Sequence, residues 1–392
     1  MLSAFLLSTS LVHFTPIQET DYGKTWNEVT RAISSRFYAR QRRKDEMEAL
    51  FKKYESPAKA AKSREDFSKV VNQMIADFKD SHFAFMTNDS QGYYLMDNLA
   101  KKDSAPMAEI GAWFRPIPTG GGYTVQMVLD GTEAQKAGLR KGDVITLING
   151  KPFTPVASLR ENLDKASKIS YQRNGKTFEA TVTPEEKPAL KMFLDATRDS
   201  AKIIEVGGKK VGYVHLWTEA NTDFRDTLAS LVYGKLRDTD ALILDNRDGF
   251  GGRPEGFLDP FFRPEVNIEW KFSETAPGMQ QLFGYQRPLV MLINEGSRSA
   301  KEVTSMILKK SGRGTLVGST TAGHVLGTSP FRLNDWSYLE IPIVDVIVDG
   351  VRIEGKGVEP DVKLPRESDE AGNDLHIQAA LDLLGRKLGV SK

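Results

Sequence analysis

The stretch LVMLINEGSRSAKEV, residues 289–303, changes character in the middle. Leu289 to Ile293 is a short continuous apolar run, the pattern of a strand buried on both faces. After the polar break a helical pattern continues through Val303, Met306 and Ile307 and stops near Gly312. A serine at such a strand-to-helix junction presents its hydroxyl at the edge of a sheet, and the next amide, at the helix start, can donate to an oxyanion. By that logic Ser299, followed by Ala300, is the better nucleophile, and Ser297 reads as the helix N-cap. Capping is the competing reading for both serines.

The surrounding region, from about residue 190 onward, reads as α/β. KIIEVGGKKVGYVHL (202–216) is a hairpin through Gly207-Gly208, and Phe224, Leu228, Leu231, Val232 and Leu236 suit one helix face. The strand Ala241–Leu244 runs into ILDNRDGFGG, where Gly249, Gly251 and Gly252 allow close backbone approach and can aim N–H groups at a ligand. The lysine and Ser/Thr of a phosphate-binding loop are absent, so an oxyanion turn or a plain structural turn remains. Asp245 and Arg247 are expected to organise it by ion pairing.

Toward the N-terminus, residues 24–80 read as helical. Trp26, Val29, Ile33 and Phe37 keep one face, and Phe67, Val70, Val71, Met74, Ile75 and Phe78 keep another after a capping-box-like start at Ser63. Asp89 to Ala105 is polar and reads as a linker. Beyond it the period becomes strand-like, with Asn-Gly turns at 149–150 and 174–175. Leu2 to Val12 is an apolar run too short to span a bilayer, which suggests a secretory leader, although a basic start and a clean cleavage site are missing. No later run reaches transmembrane length.

Bulk composition narrows the chemistry. The 392 residues carry a formal net charge of +1, which gives no bias toward nucleic acid. With no cysteine, thiolate catalysis and disulfides are excluded. The five histidines (His13, His82, His215, His324, His376) are scattered and no carboxylate cluster has ligand spacing, so neither a metal nor any cofactor is expected. His215 reads as structural, and His13 and His376 lie near the termini.

GTEAQKAGLRKGDVITLINGKPF (131–153) resembles a PDZ domain of the bacterial protease type. The resemblance implies capture of extended peptides by strand addition, with C-terminal carboxylates held by backbone amides, around Ile110, Gly111, Ala112, Trp113 and Phe114. The competing reading makes Trp113 and Phe114 ordinary core. The chain as a whole resembles the C-terminal processing peptidases and the tricorn protease core, a family of serine peptidases. LILDNRDGFGG is similar to the family's Asp-x-Arg-x-x-x-Gly-Gly turn, LINEGSRSAKEV to its Ser-x-Ser-Ala-x-Glu motif, and GKGVEPDV to its closing loop.

After the possible leader over 1–20, the resemblance implies an α+β fold: a helical domain over 21–104, a PDZ domain over 105–187 and, over 188–392, a mixed α/β peptidase core of the ClpP/crotonase-like spiral type. It places the nucleophile on Ser299 and the oxyanion donors on Ala300 and one of Gly251 and Gly252. The Ser–Lys branch of the family carries a lysine where STTAGHVLG (319–327) has His324. The tricorn-like branch uses a histidine from the N-terminal region, and FKDSHFAF matches it at Ser81 and His82, with Glu354 of RIEGKGVEPD as the supporting carboxylate.

The implied protein is a serine endopeptidase acting through an acyl-enzyme on polypeptides, reached in part through their C-termini. His82 is the base, oriented by Ser81 and Glu354. It is expected to be exported if the leader is real and cytoplasmic otherwise, without an integral membrane span, and a homo-oligomer is compatible with the pattern. Two alternatives stay open: the same enzyme with His324 as base or substrate contact, and a PDZ peptide-binding scaffold without hydrolysis.

Overall fold

The computed structural model describes residues 21–101, 103–262, 268–270, 279–281 and 284–390. The leader expected over residues 1–20, with His13, lies outside the described residues. No helix among the described residues is long and apolar enough to cross a membrane.

Three helices open the chain: α1 (Tyr22–Arg36), α2 (Lys44–Lys59) and α3 (Arg64–Phe78). Asp21 caps α1 by accepting from the Lys24 N–H at 2.8 Å, and Ser63 caps α3 by accepting from the Asp66 N–H at 3.0 Å. Such caps are each worth about 1 kcal/mol. The apolar stripes of α1 and α3 are buried as their periodicity predicts, but not only against each other. They share one core with Trp336, Leu339 and Ile341. The strand Ala84–Thr87, which follows α3, pairs antiparallel with Ser337–Val344, Phe85 facing Leu339, and Gly327–Arg332 completes a three-stranded sheet. The N-terminal region is thereby stitched to a segment late in the chain.

Residues 89–105, expected as a linker, instead contain the helix α4 (Gln91–Ala100). Its Gln91 and the run Tyr93 to Asp97 are all buried. Four successive apolar residues carry no 3.6-residue period because the helix is covered around most of its girth, and its polar ends mimic a linker.

The PDZ region is a sheet of strands Ala112–Pro116, Tyr123–Val128, Val144–Ile148, Ser167–Arg173 and Lys176–Val182, adjacent in that order, with the short helices α5 (Glu133–Lys136) and α6 (Pro155–Glu161). Both Asn-Gly turns form as read from sequence, with positive φ at each of the four residues.

The core sheet orders Lys202–Val206, Lys209–His215, Ala241–Asp245, Leu289–Ile293, Thr315–Gly318 and Val362–Lys363 side by side, parallel after the first hairpin. Alternate residues serve opposite faces. Val211, Tyr213, Ile243, Val290 and Leu292 meet α10 (Leu375–Lys387). Val214, Leu242, Leu244 and Met291 meet α7 (Ala189–Ser200), α8 (Thr222–Tyr233) and α9 (Ala300–Lys310).

Helix α9 departs from a simple amphipathic reading. Ile307 is exposed and Val303 and Met306 are half-buried, whereas Lys301, Glu302, Thr304, Ser305 and Leu308 are buried. A helix that buries charge beneath its first turn is supporting something at that end.

Candidate active site

Ser299 occupies the N-cap position of α9 with φ 60° and ψ −129°, a backbone conformation costly for a non-glycine residue. Strain of this kind, of order 1–3 kcal/mol, persists only where the surroundings impose it. Here the Ser299 N–H donates to the His324 carbonyl at 2.7 Å and to Glu302 Oε2 at 3.2 Å. Ser297, expected as the N-cap, is instead fully buried in the preceding turn. Its hydroxyl donates to the Asn246 carbonyl at 2.8 Å and accepts from the Asn294 N–H at 3.1 Å. Ser297 is structural, and Ser299 is the half-exposed serine at the sheet edge.

The glycine turn lies against it. A methyl group on Gly251 would come within 2.4 Å of Ser299 Cβ, 2.8 Å of Ser299 Oγ and 2.7 Å of the Ala300 nitrogen. Only glycine allows the turn that close. This juxtaposition is the one an oxyanion site needs, since the Ala300 amide and the Gly251-Gly252 backbone flank the serine oxygen.

Two buried cations hold the turn. Arg247 pairs with Asp245 at 2.6 Å, as expected from sequence, and also with Asp374 at 2.8 Å, and the pairing with Arg247 outweighs burial to keep the Asp245 carboxyl well below the usual range. Lys301 donates to the carbonyls of Arg247 at 3.1 Å and Asp248 at 2.7 Å. Burial drives Lys301 toward its neutral form and the neighbouring Glu219 toward its protonated one.

Glu302 is the hub beneath the site. Besides the Ser299 N–H, its carboxylate accepts from Thr321 Oγ1 at 2.6 Å and from the amides of Gly323 at 2.7 Å and His324 at 2.8 Å. Burial raises its pKa, and these four hydrogen bonds hold it back. One side chain thus ties the nucleophile turn to the loop that carries His324. The signal in the sequence was its position in α9, on a buried face otherwise made of Lys301, Thr304, Ser305 and Leu308.

The structure brings His82 and His324 together, their rings edge-to-face with centroids 6.4 Å apart. His82 Nδ1 lies 3.0 Å from Ser81 Oγ, and its φ of 53° marks a constrained turn between α3 and the strand Ala84–Thr87. Burial lowers its pKa to about 3, with Arg298 and His324 adding to the effect, so the ring is neutral at pH 7.

Glu354, expected behind Ser81, sits elsewhere in this conformation. Its Oε2 accepts from the amides of Val325 at 2.7 Å and Leu326 at 3.3 Å. Two successive N–H groups satisfy a carboxylate better than a single hydroxyl does, and Glu354 braces the His324 loop. His215 is structural: it stacks on Trp217 at 3.6 Å and bonds the Arg247 carbonyl at 3.0 Å. His376, in the first turn of α10, is buried beside Gly318.

The PDZ region reaches this site through Lys141, which pairs with Asp248 of the glycine turn at 2.8 Å and with Glu367 at 3.2 Å. Burial alone would lower its pKa, but Asp248 and Glu367 outweigh that and raise it. Of the expected peptide-binding residues, Ile110, Ala112, Trp113 and Phe114 all have buried side chains, and Gly111 turns with φ 79° against Thr132.

Residues 210–364 match the model of peptidase family S41, and residues 107–183 match that of the PDZ domain. The chain thus carries a region that matches peptidase family S41 beside a region that matches the PDZ domain. It is a serine-type peptidase with a PDZ domain, and the scaffold reading without hydrolysis is not favoured.

Similar proteins include a carboxyl-terminal-processing protease of Synechocystis sp., 25% identical over 345 residues that cover 82% of this chain and 78% of the relative. Tricorn protease homolog 1 of Streptomyces coelicolor is 26% identical over 62% of this chain and 24% of its own length. Among solved structures, the tricorn protease superposes with a TM-score of 0.57 at 20% identity, over 94% of this chain and 37% of the other. The photosystem II D1 C-terminal processing protease gives 0.56 at 20% identity, over 93% and 97%. Both support the mixed α/β fold.

Proposed function

We propose that this serine-type peptidase cleaves polypeptides, including segments near their C-termini, with Ser299 as nucleophile and His82 as base. The observation that carries the assignment is the strained Ser299, packed against Gly251 and the Ala300 amide. His82 Nδ1 is engaged by Ser81, which leaves Nε2 for the chemistry. Nε2 takes the Ser299 hydroxyl proton as Oγ bonds to the scissile carbonyl carbon, and the carbonyl oxygen becomes an oxyanion facing the Ala300 amide and one in Gly251-Gly252. The same proton passes to the leaving amine as the C–N bond breaks. Water, deprotonated by His82, then attacks the acyl-enzyme, and the proton returns to Ser299 with release of the carboxylic acid product.

Casein hydrolysis read by mass spectrometry tests this, with wild type beside Ser299→Ala. Loss of cleavage in the variant is expected, and equal cleavage in both would remove Ser299 from the mechanism. A second reading uses His324 as base, favoured by the His324 carbonyl on the Ser299 N–H and by the ring contact with His82. Removal of the true base costs about a hundred- to ten-thousandfold in kcat. His82→Ala and His324→Ala therefore separate the two.

In the same reading the PDZ domain binds or gates substrate, and Ile110–Phe114 is the segment concerned. Export through residues 1–20 is checked by N-terminal sequencing of the mature protein, and assembly into a homo-oligomer by light scattering.

A further inference from the structure

Among the described residues, the strand Ala112–Pro116 is an edge of the PDZ sheet, with a neighbouring strand on one side only. The Gly111 carbonyl accepts from the Leu129 N–H, and Trp113 faces Met127 across the ladder, so Ala112 and Phe114 turn their backbone groups outward. Those groups are already taken. Gln91, the first residue of α4, donates from Nε2 to the Ala112 carbonyl at 3.0 Å and accepts at Oε1 from the Phe114 N–H at 2.9 Å. A carboxamide presents one donor and one acceptor in the spacing of a peptide unit, so Gln91 stands where one residue of an added strand would.

The next outward position is Pro116, which has no N–H. Gln91 therefore holds the central part of a short edge. Upstream, the Gly111 N–H is held by the carboxylate of Glu109, a buried residue. α4 also reaches the other wall of this region: Arg160 of α6 donates to the Tyr94 hydroxyl at 2.5 Å, and Tyr94, Trp113 and Val156 share one core.

We propose that the outer edge of Ala112–Pro116 is a docking site for an extended polypeptide, that Gln91 fills it as an internal ligand, and that a docking chain must displace the start of α4. The strand Ala84–Thr87 connects His82 directly to α4, so displacement bears on the candidate base. The proposal rests on the reading of the PDZ domain as a substrate-binding module and extends it to a latch.

The test is made in full-length Ser299→Ala protein, where hydrolysis cannot confuse binding. Fluorescein-labelled decapeptides from casein are titrated by anisotropy against forms with Gln91 and with Gln91→Ala. Removing the internal ligand leaves the Ala112 carbonyl and the Phe114 N–H unpaired and ready for an incoming strand. Binding about tenfold tighter is the expected result. Peptide added to the form with Gln91 is expected to speed hydrogen exchange over residues 91–100 and slow it over 112–116.

Should Gln91→Ala fail to fold, Gln91→Glu keeps the acceptor for Phe114 but sets a carboxylate oxygen against the Ala112 carbonyl, and the same direction is expected. Equal affinity with and without the latch, no binding to any form, or a bound peptide that leaves exchange at 91–100 unmoved would each overturn the proposal. Ser299-dependent casein cleavage is read separately, so the latch can fail while the peptidase assignment stands.

Discussion

Glu302 beneath the nucleophile and Gln91 along the PDZ edge are both buried side chains bonded chiefly to backbone, yet they act on their regions in opposite ways. Glu302 gathers the amide of Ser299 and the adjacent amides of Gly323 and His324, and so ties a turn to a later loop and keeps Ser299 in a conformation it would not adopt alone. Gln91 satisfies a donor and an acceptor that an open edge would offer to another chain. One is charged, and its four bonds cannot be replaced by water without losing the shape of the site. The other is neutral and offers no more than an incoming peptide could offer in its place. The contrast teaches that a buried polar group can build a site or occupy one, depending on whether its partners have a competing ligand.

The comparison can be broken by substitution, starting with the largest effect. Ser299→Ala is expected to lower kcat for casein by about ten-thousandfold or more with the fold intact, as checked by circular dichroism. Glu302→Gln keeps the size but loses the charge. Weakening of the amide contacts should cost about a hundredfold in kcat with KM little changed, because Glu302 is fully buried beneath Ser299. A fall in KM-dependent terms alone would show that Glu302 shapes binding rather than the nucleophile.

Next in size is the pH dependence. With the folded pKa of His82 lowered to about 3 from an ordinary 6.5, the unfolded chain binds more protons between those values. His82 therefore contributes stability that is complete above pH 6.5 and is lost as the pH falls toward 3. The acid limb of kcat/KM should lie well below pH 6.5 if His82 is the base, and a His82→Ala variant should flatten the loss of stability in that window. An acid limb at pH 6.5 would count against His82 as the base.

Lys141→Ala is expected to have the smallest effect. Its pairs with Asp248 and Glu367 join the PDZ region to the glycine turn but are partly exposed, so thermal stability should fall by about 1 kcal/mol or less, with more effect at low salt. A large loss of activity without loss of stability would instead make Lys141 a coupling residue between the two regions.

Much of this architecture was legible in the residues. The Asn-Gly turns, the capped helix at Ser63 and the apolar strand before Asn294 each state their structure locally, and the choice of Ser299 over Ser297 followed from the position of Ala300. α4 was hidden because Tyr93 to Met96 is buried around most of the helix, which erases the period that would reveal it. The buried roles of Glu302 and Lys301 were not legible because a charged residue near a helix start usually faces water, and nothing local says that a loop 20 or so residues later will close over it. Glu354 was assigned to Ser81 by resemblance, but its contacts with Val325 and Leu326 depend on how two late loops cross. The meeting of His82 with His324 is likewise a property of the completed sheet, not of either segment.

That sheet has a consequence for how the protein is made. Phe85 pairs with Leu339, and the helical region that precedes His82 shares its core with Trp336 and Ile341. A chain emerging from the ribosome N-terminus first carries His82 early and Ser299 much later, and the strand that fixes the position of His82 emerges later still. Every growing chain shorter than about residue 344 thus holds Ser299 and His82, the proposed nucleophile and base, unassembled. The long loop closure slows the last folding step, and the same delay keeps a half-made peptidase harmless to its neighbours on the polysome.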